Sequence, residues 1–160
     1  MGDNLKNYTC CFTGHRFLPE NDFERISSVL KDNIIRLIKK DVKYFGTGGA
    51  LGFDTLAALL VLDLKKQYKH IKLILVLPCL EQTKYWSKTD KIIYDKIKLK
   101  ADKIIYISKE YTNQCMQKRN KHLVDNSGYC ICYLTKNYGG TFNTVKYAEK
   151  NKLKIINIAN

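Results

Sequence analysis

Tyr44–Asp54, YFGTGGALGFD, is the stretch on which the fold turns. A strand at Lys43–Phe45 enters Gly46, Gly48, Gly49 and Gly52, and the chain then passes directly into a helical pattern over Thr55 to Tyr68 in which Leu56, Leu60 and Leu64 share a face. A strand that runs through glycines into a helix start gathers bare backbone N–H groups where the helix dipole also favours negative charge, so a phosphate is a natural occupant. The same glycines would also serve a tight structural turn. Asp54 either accepts a ribose hydroxyl or caps the helix. The stretch lacks the G-x-x-x-x-G-K-S/T pattern, and the spacing of Gly46, Gly48 and Gly52 is one residue longer than G-x-G-x-x-G.

The same strand-then-helix order repeats on both sides. Upstream, Tyr8 to Thr13 reads as a strand ending at Gly14, His15 and Arg16. A helix then starts after Pro19 and carries Ile26, Val29, Leu30, Ile34, Leu37 and Ile38 through about Lys40. Downstream, Ile71–Leu77 is apolar almost throughout, as a central parallel strand buried on both faces should be, and Pro78 stops it. A helix from about Lys88 to Lys100, a strand at Lys103–Ile107, a helix from about Thr112 to Asp125, a strand at Tyr129–Leu134, a helix at Phe142–Lys150 and a strand at Lys154–Ile158 complete the pattern. With no linker or repeat, residues 1–160 read as one α/β domain, a Rossmann-like three-layer sandwich. It has a mostly parallel sheet of about six strands with helices on both faces. Ligands of such sheets bind outside the carboxyl ends of the strands. Those ends carry Gly14–Arg16, Gly48–Asp54, Pro78–Trp86 and Gly139–Thr144.

At 160 residues and 45% hydrophobic, the chain suits one core. Its apolar runs fall far short of the ~20 residues of a membrane span. The start MGDNLKNYT has no apolar signal region, so a cytoplasmic protein without membrane partners is expected. Of six cysteines, Cys10, Cys11, Cys130 and Cys132 sit in strand-like runs and no C-x-x-C pair occurs; reduced, buried thiols and no metal site are expected. The net charge of +13 suggests nucleic acid, but 24 of the 28 basic residues are lysines, most of them dispersed from Lys31 to Lys154. That dispersal describes a solvated surface more than a base-reading one.

Five blocks together resemble the SLOG superfamily: CFTGHR at Cys11–Arg16, GGALGFDTLAA at Gly48–Ala58, LPCLEQTKYW at Leu77–Trp86, CMQKRNKHLVDNS at Cys115–Ser127 and GGTFNTVKYA at Gly139–Ala148. This superfamily of Rossmann-like proteins includes the DprA DNA-processing proteins and the LOG phosphoribohydrolases, and the chain is most similar to its branch of small bacterial YpsA-like proteins. The resemblance implies a nucleotide or nucleotide-derived ligand of the ADP-ribose type, no required cofactor, and association into homo-oligomers. LOG enzymes use a P-G-G-x-G-T-x-x-E motif with an upstream arginine. Arg119 matches that arginine, and Gly140 and Thr141 match the glycine-threonine step, but Thr144 stands at the glutamate position and no proline precedes the glycines. A threonine hydroxyl does not do the acid–base work of a carboxylate at neutral pH, so LOG-type hydrolysis is not expected at that position.

The candidate site residues follow. Thr13, Gly14, His15 and Arg16 would contact phosphate or ribose oxygens at the first strand end, or else form a turn with a solvated arginine, and His15 reads equally as a packed or capping histidine. Gly48, Gly49 and Gly52 would hold a phosphate, with Asp54 on a ribose hydroxyl or as a cap. Trp86 would stack on a base with Gln82 reading its edge, or else pack as a core aromatic. The resemblance implies that Arg119, with Asn120, approaches a phosphate, where a lysine–arginine pair on a helix ordinarily faces solvent, and Asp125 would fix a hydroxyl or a partner loop. Gly139, Gly140, Thr141 and Thr144 would form a second phosphate contact at a helix start. Binding of a small nucleotide ligand is the leading expectation, an N-glycosidase the second, and single-stranded nucleic acid the last.

Overall fold

The computed structural model describes residues 5–159. The first four residues of the N-terminal stretch lie outside them. Strands β1 (Thr9–Gly14), β2 (Tyr44–Thr47), β3 (Lys72–Leu77), β4 (Lys103–Tyr106), β5 (Tyr129–Tyr133) and β6 (Lys154–Asn157) form one sheet. Between them run helices α1 (Phe23–Ile38), α2 (Phe53–Lys65), α3 (Lys88–Lys100), α4 (Cys115–Asp125) and α5 (Gly140–Lys150). The sheet is parallel at every strand pair, in the order β4-β3-β2-β1-β5-β6. The α/β three-layer architecture expected from the sequence is the one observed.

Side-chain alternation along each strand feeds two core layers. Phe12, Phe45, Leu73 and Leu75 pack against Ile26 and Leu30 of α1, Ala57 and Val61 of α2, and Tyr94 and Ile97 of α3. On the other face Cys11, Val76, Cys130 and Cys132 meet Leu123 and Val124 of α4 and Val145 and Ala148 of α5. Burial pushes the Cys132 thiol up to about 12, which keeps it un-ionised and unreactive at neutral pH.

Three boundaries differ from the sequence reading in ways that shape the site, the first being helix α5, which begins at Gly140, ahead of Phe142. Strand β2 continues past Phe45 through Gly46 and Thr47, because both pair with β3 at Ile74 and Leu75. Helix α2 begins at Phe53, ahead of Thr55. The Phe53 ring is wholly buried against Phe12, centroids 6.3 Å apart, and its amide donates to the His15 carbonyl at 3.1 Å. Asp54 is thereby drawn inside the first helical turn.

The chain lays down β1 to β4 in one direction and then returns to the other side of β1 for β5. Strand order therefore reverses between β1 and β5, which are in register at Thr13 with Cys132 and Gly14 with Tyr133. The connections leaving these two strands diverge to opposite faces, and a crevice opens between them at the carboxyl edge.

Candidate functional site

At that reversal lies a cleft of about 490 Å³. Its walls are Thr13, Gly14, His15 and Arg16 after β1, Ala50 and Asp54 after β2, Arg119 and Asn120 on α4, and Gly139, Gly140 and Thr141 before and at the start of α5. Four segments separated in sequence thus meet at one rim. Ten of the residues singled out from the sequence line the cleft; Gly48, Gly49, Gly52, Gln82, Trp86, Asp125 and Thr144 do not.

The first glycine loop is closely packed from behind. A Cβ at Gly48 would run into the Arg119 guanidinium, one at Gly49 into Leu77, and one at Gly52 into the backbone carbonyl of Arg16. Gly52 also has φ +75°, a conformation that side chains with a Cβ rarely adopt. These glycines let neighbouring groups approach the loop on the side where a Cβ would stand. Of this loop, Ala50 and Asp54 reach the cleft.

Arg119 is the pivot of the packing. It is 5% exposed, and its Nη1 donates to the Gly48 carbonyl while its Nε donates to Asn120 Oδ1 at 2.7 Å. Asp54, also buried, accepts from the Ala50 amide at 3.2 Å. Burial pushes the Asp54 carboxyl up to about 6, against the opposing pull of the Arg119 charge and the amide of Ala50. Burial likewise lowers the Arg119 pKa, but an arginine stays protonated. The cleft floor therefore holds a fixed cation beside a carboxyl whose charge changes near neutral pH.

His15 is held as a neutral acceptor. Its Nε2 accepts the Thr135 amide at 3.0 Å, and its ring stands edge-on to Tyr133 at 5.8 Å. Desolvation and then the Lys136 charge lower its pKa. The β1–α1 and β5–α5 loops are thereby tied together across the strand-order reversal.

The second glycine turn has space around it that the first lacks. No atom lies within 4 Å of a Cβ built on Gly139 or Gly140, and Gly139 has φ +96°. No side chain caps α5. Its first-turn amides are thus available beside the cleft, where the helix dipole favours an anion. Thr144 braces this turn instead of lining the cleft, its hydroxyl donating to the Gly140 carbonyl at 2.8 Å.

The other candidates are placed elsewhere. Asp125, at the far end of α4, accepts from the Tyr147 hydroxyl at 2.7 Å and joins α4 to α5. Gln82 is buried, its Nε2 donating to the Tyr94 hydroxyl at 3.2 Å. Trp86 packs edge-on against Tyr94 with centroids 5.3 Å apart, so the core-aromatic alternative describes it. Conversely, Phe17, Met116, Tyr133, Lys136 and Tyr138 line the cleft without having been singled out from the sequence. Lys136 and Tyr138 occupy the short link between β5 and the glycine pair, and that position was the available signal.

A parallel sheet with a cation-bearing, glycine-edged cleft at its strand-order reversal defines a Rossmann-like α/β protein. The family model described as the YspA SLOG family (YpsA) matches residues 17–159, and the chain belongs to that family. It is 37% identical over 141 residues to the SPbeta prophage-derived protein YoqJ of Bacillus subtilis, covering 78% of this chain and 82% of YoqJ. It is 30% identical over 131 residues to a UPF0398 protein of Brevibacillus brevis, covering 78% and 68%. Among solved structures, DNA processing protein A from Helicobacter pylori, which binds single-stranded DNA, superposes with TM-score 0.66 at 18% identity. The protein of that name from Streptococcus pneumoniae gives the same values. The match covers 94% and 96% of this chain but 64% and 50% of those two, so the likeness is one of fold over part of their length. Among the described residues no helix is long and apolar enough to cross a membrane, and no three His, Cys, Asp or Glu side chains converge as a metal site.

Proposed function

We propose that this chain binds a nucleotide or nucleotide-derived ligand of the ADP-ribose or NAD class in the cleft between β1 and β5, and reports its presence to a partner. The observation that carries this reading is the meeting of the open Gly139–Gly140 helix start with Arg16, Lys136 and Arg119 around one cleft. Uncapped amides at a helix start and converging cations are chemistry for phosphate. The volume of about 490 Å³ suits a small molecule. Calorimetric titration with ADP-ribose, NAD, AMP and cyclic nucleotides tests it: at least one saturable complex is expected. Failure of the whole panel refutes the reading.

A second reading rests on Asp54. A carboxyl in the cleft with its pKa pushed up to about 6 is placed to donate or take a proton near neutral pH. In this reading water cleaves the N-glycosidic bond of a nucleoside monophosphate to give the free base and ribose 5-phosphate, with Asp54 as the acid–base group and Arg119 orienting the phosphate. Incubation with AMP followed by chromatography for adenine decides it, and absence of adenine under conditions of saturated binding removes it. Nucleic acid stays the least supported partner; it would announce itself through steep salt dependence of oligonucleotide binding.

A further inference from the structure

Two aromatic rings stand at the mouth of the cleft with no core to account for them. Phe17 is 90% exposed and Tyr138 is 65% exposed, yet both line the same cleft, one from the loop after β1 and the other from the loop after β5. Neither was part of the phosphate-directed reading of the loops. A phenylalanine left almost wholly in water loses the burial that ordinarily stabilises it, and its flat apolar face matches the faces of planar aromatic ligands. Tyr138 has the Lys136 ammonium 5.7 Å from its ring centroid, so its ring is already part of a cation–aromatic stack.

The chemistry along the cleft is graded. Buried polar groups, Asp54 and Arg119, occupy its depth, the open α5 start and Arg16 occupy its rim, and Phe17 and Tyr138 lie outermost among the groups used here. A ligand whose phosphate sits at Gly139–Thr141 would carry any attached ring system outward toward these two side chains. We propose that Phe17 and Tyr138 form the base-stacking subsite of the cleft, selecting ligands in which a planar nucleobase is joined to the phosphorylated sugar. This inference rests on the proposed nucleotide-binding reading and assigns its base end to residues that the sequence blocks did not single out. It also moves the stacking role away from Trp86, which is packed on Tyr94 and does not line the cleft.

The experiment compares native protein with Phe17→Ala, Tyr138→Ala and Tyr138→Phe by calorimetry, using ADP-ribose and AMP as base-bearing probes and inorganic pyrophosphate and ribose 5-phosphate as base-free ones. Base stacking of this kind is worth about 5- to 150-fold in affinity. Each alanine variant is expected to weaken ADP-ribose or AMP by a factor in that range while leaving the base-free probes unchanged, and Tyr138→Phe should keep native affinity. Equal weakening of both probe classes, or no weakening of either, overturns the stacking subsite. A native protein that binds pyrophosphate and ribose 5-phosphate as tightly as the base-bearing probes overturns it too, but leaves the phosphate site standing. If native protein binds none of the four, the phosphate reading falls and the subsite with it. Because both rings are exposed, these variants are expected to fold, and unchanged thermal unfolding serves as the check.

Discussion

The Arg119 guanidinium donates to the main-chain carbonyl of Gly48, a residue 71 positions earlier in the chain. This contact fastens α4 to the loop after β2 and sets a buried cation next to the buried Asp54. It explains why position 48 is glycine, since a side chain there would occupy the place of the guanidinium.

Arg119→Ala leaves the Gly48 carbonyl without this donor and removes the charge that holds down the Asp54 pKa. It is therefore expected to lower stability by about 2–4 kcal/mol, measured by denaturant unfolding. Arg119→Lys should rescue little of this, because a point ammonium cannot serve Gly48 and Asn120 with the same planar fork.

Asp54 makes stability depend on pH in a direction opposite to that of a salt-bridged carboxylate. Its folded pKa, about 6, lies above its ordinary value of 3.8, so the folded state holds the proton more tightly. The contribution is fully present below about pH 4 and is lost as pH rises to about 6, amounting to about 3 kcal/mol. Asp54→Asn keeps the acceptor for the Ala50 amide and should remove this slope from a plot of unfolding midpoint against pH. The same sign applies to binding: an anionic ligand is expected to bind more weakly as Asp54 ionises, with ADP-ribose affinity falling between pH 5 and 7.

Gly52→Ala and Gly140→Ala should separate packing from recognition. At Gly52 a Cβ would strike the Arg16 carbonyl and φ is +75°, so the substitution is expected to cost about 2–4 kcal/mol of stability. At Gly140 a Cβ meets nothing within 4 Å, and stability should stay within about 0.5 kcal/mol of native. Gly140→Asp, which sets a negative charge at the α5 start, should leave the fold intact and abolish ligand binding.

His15 has its pKa lowered by desolvation and by Lys136, so its contribution is present above its ordinary value of 6.5 and is lost as pH falls through the depressed value. Protonation removes the Nε2 lone pair that accepts the Thr135 amide. An NMR titration should give an imidazole midpoint below 6.5, with the Thr135 amide resonance moving at the same midpoint.

Much of this was legible in the sequence. Hydrophobic period and glycine placement located all six strands, because each is a short apolar run set between helical patterns or at the end of one. What the sequence could not carry was strand order. Only the insertion of β1 between β2 and β5 brings Arg16 to Gly139 and leaves Pro78–Trp86 on the far side of β2. For the same reason Gln82 and Trp86, polar and aromatic in a strand-end loop, read equally as ligand contacts or as packed side chains, and the choice falls to their contacts with Tyr94. The two glycine turns look alike in composition, yet a Cβ in the first would meet Arg119, Leu77 or the Arg16 carbonyl while one at Gly139 or Gly140 would meet nothing within 4 Å, a distinction made by residues distant in the chain. Phe17, Lys136 and Tyr138 match no motif; they reach the cleft through the loops that carry them, and that position is their one signal.

A crystal structure of the protein grown with ADP-ribose tests the central claim most directly. The account predicts the diphosphate against the Gly139–Thr141 helix start within reach of Arg16, with the sugar over Asp54. Ordered ligand anywhere else, such as the groove between α2 and α3 beside Leu59 and Lys96, or a cleft that stays empty at saturating ADP-ribose, would contradict it.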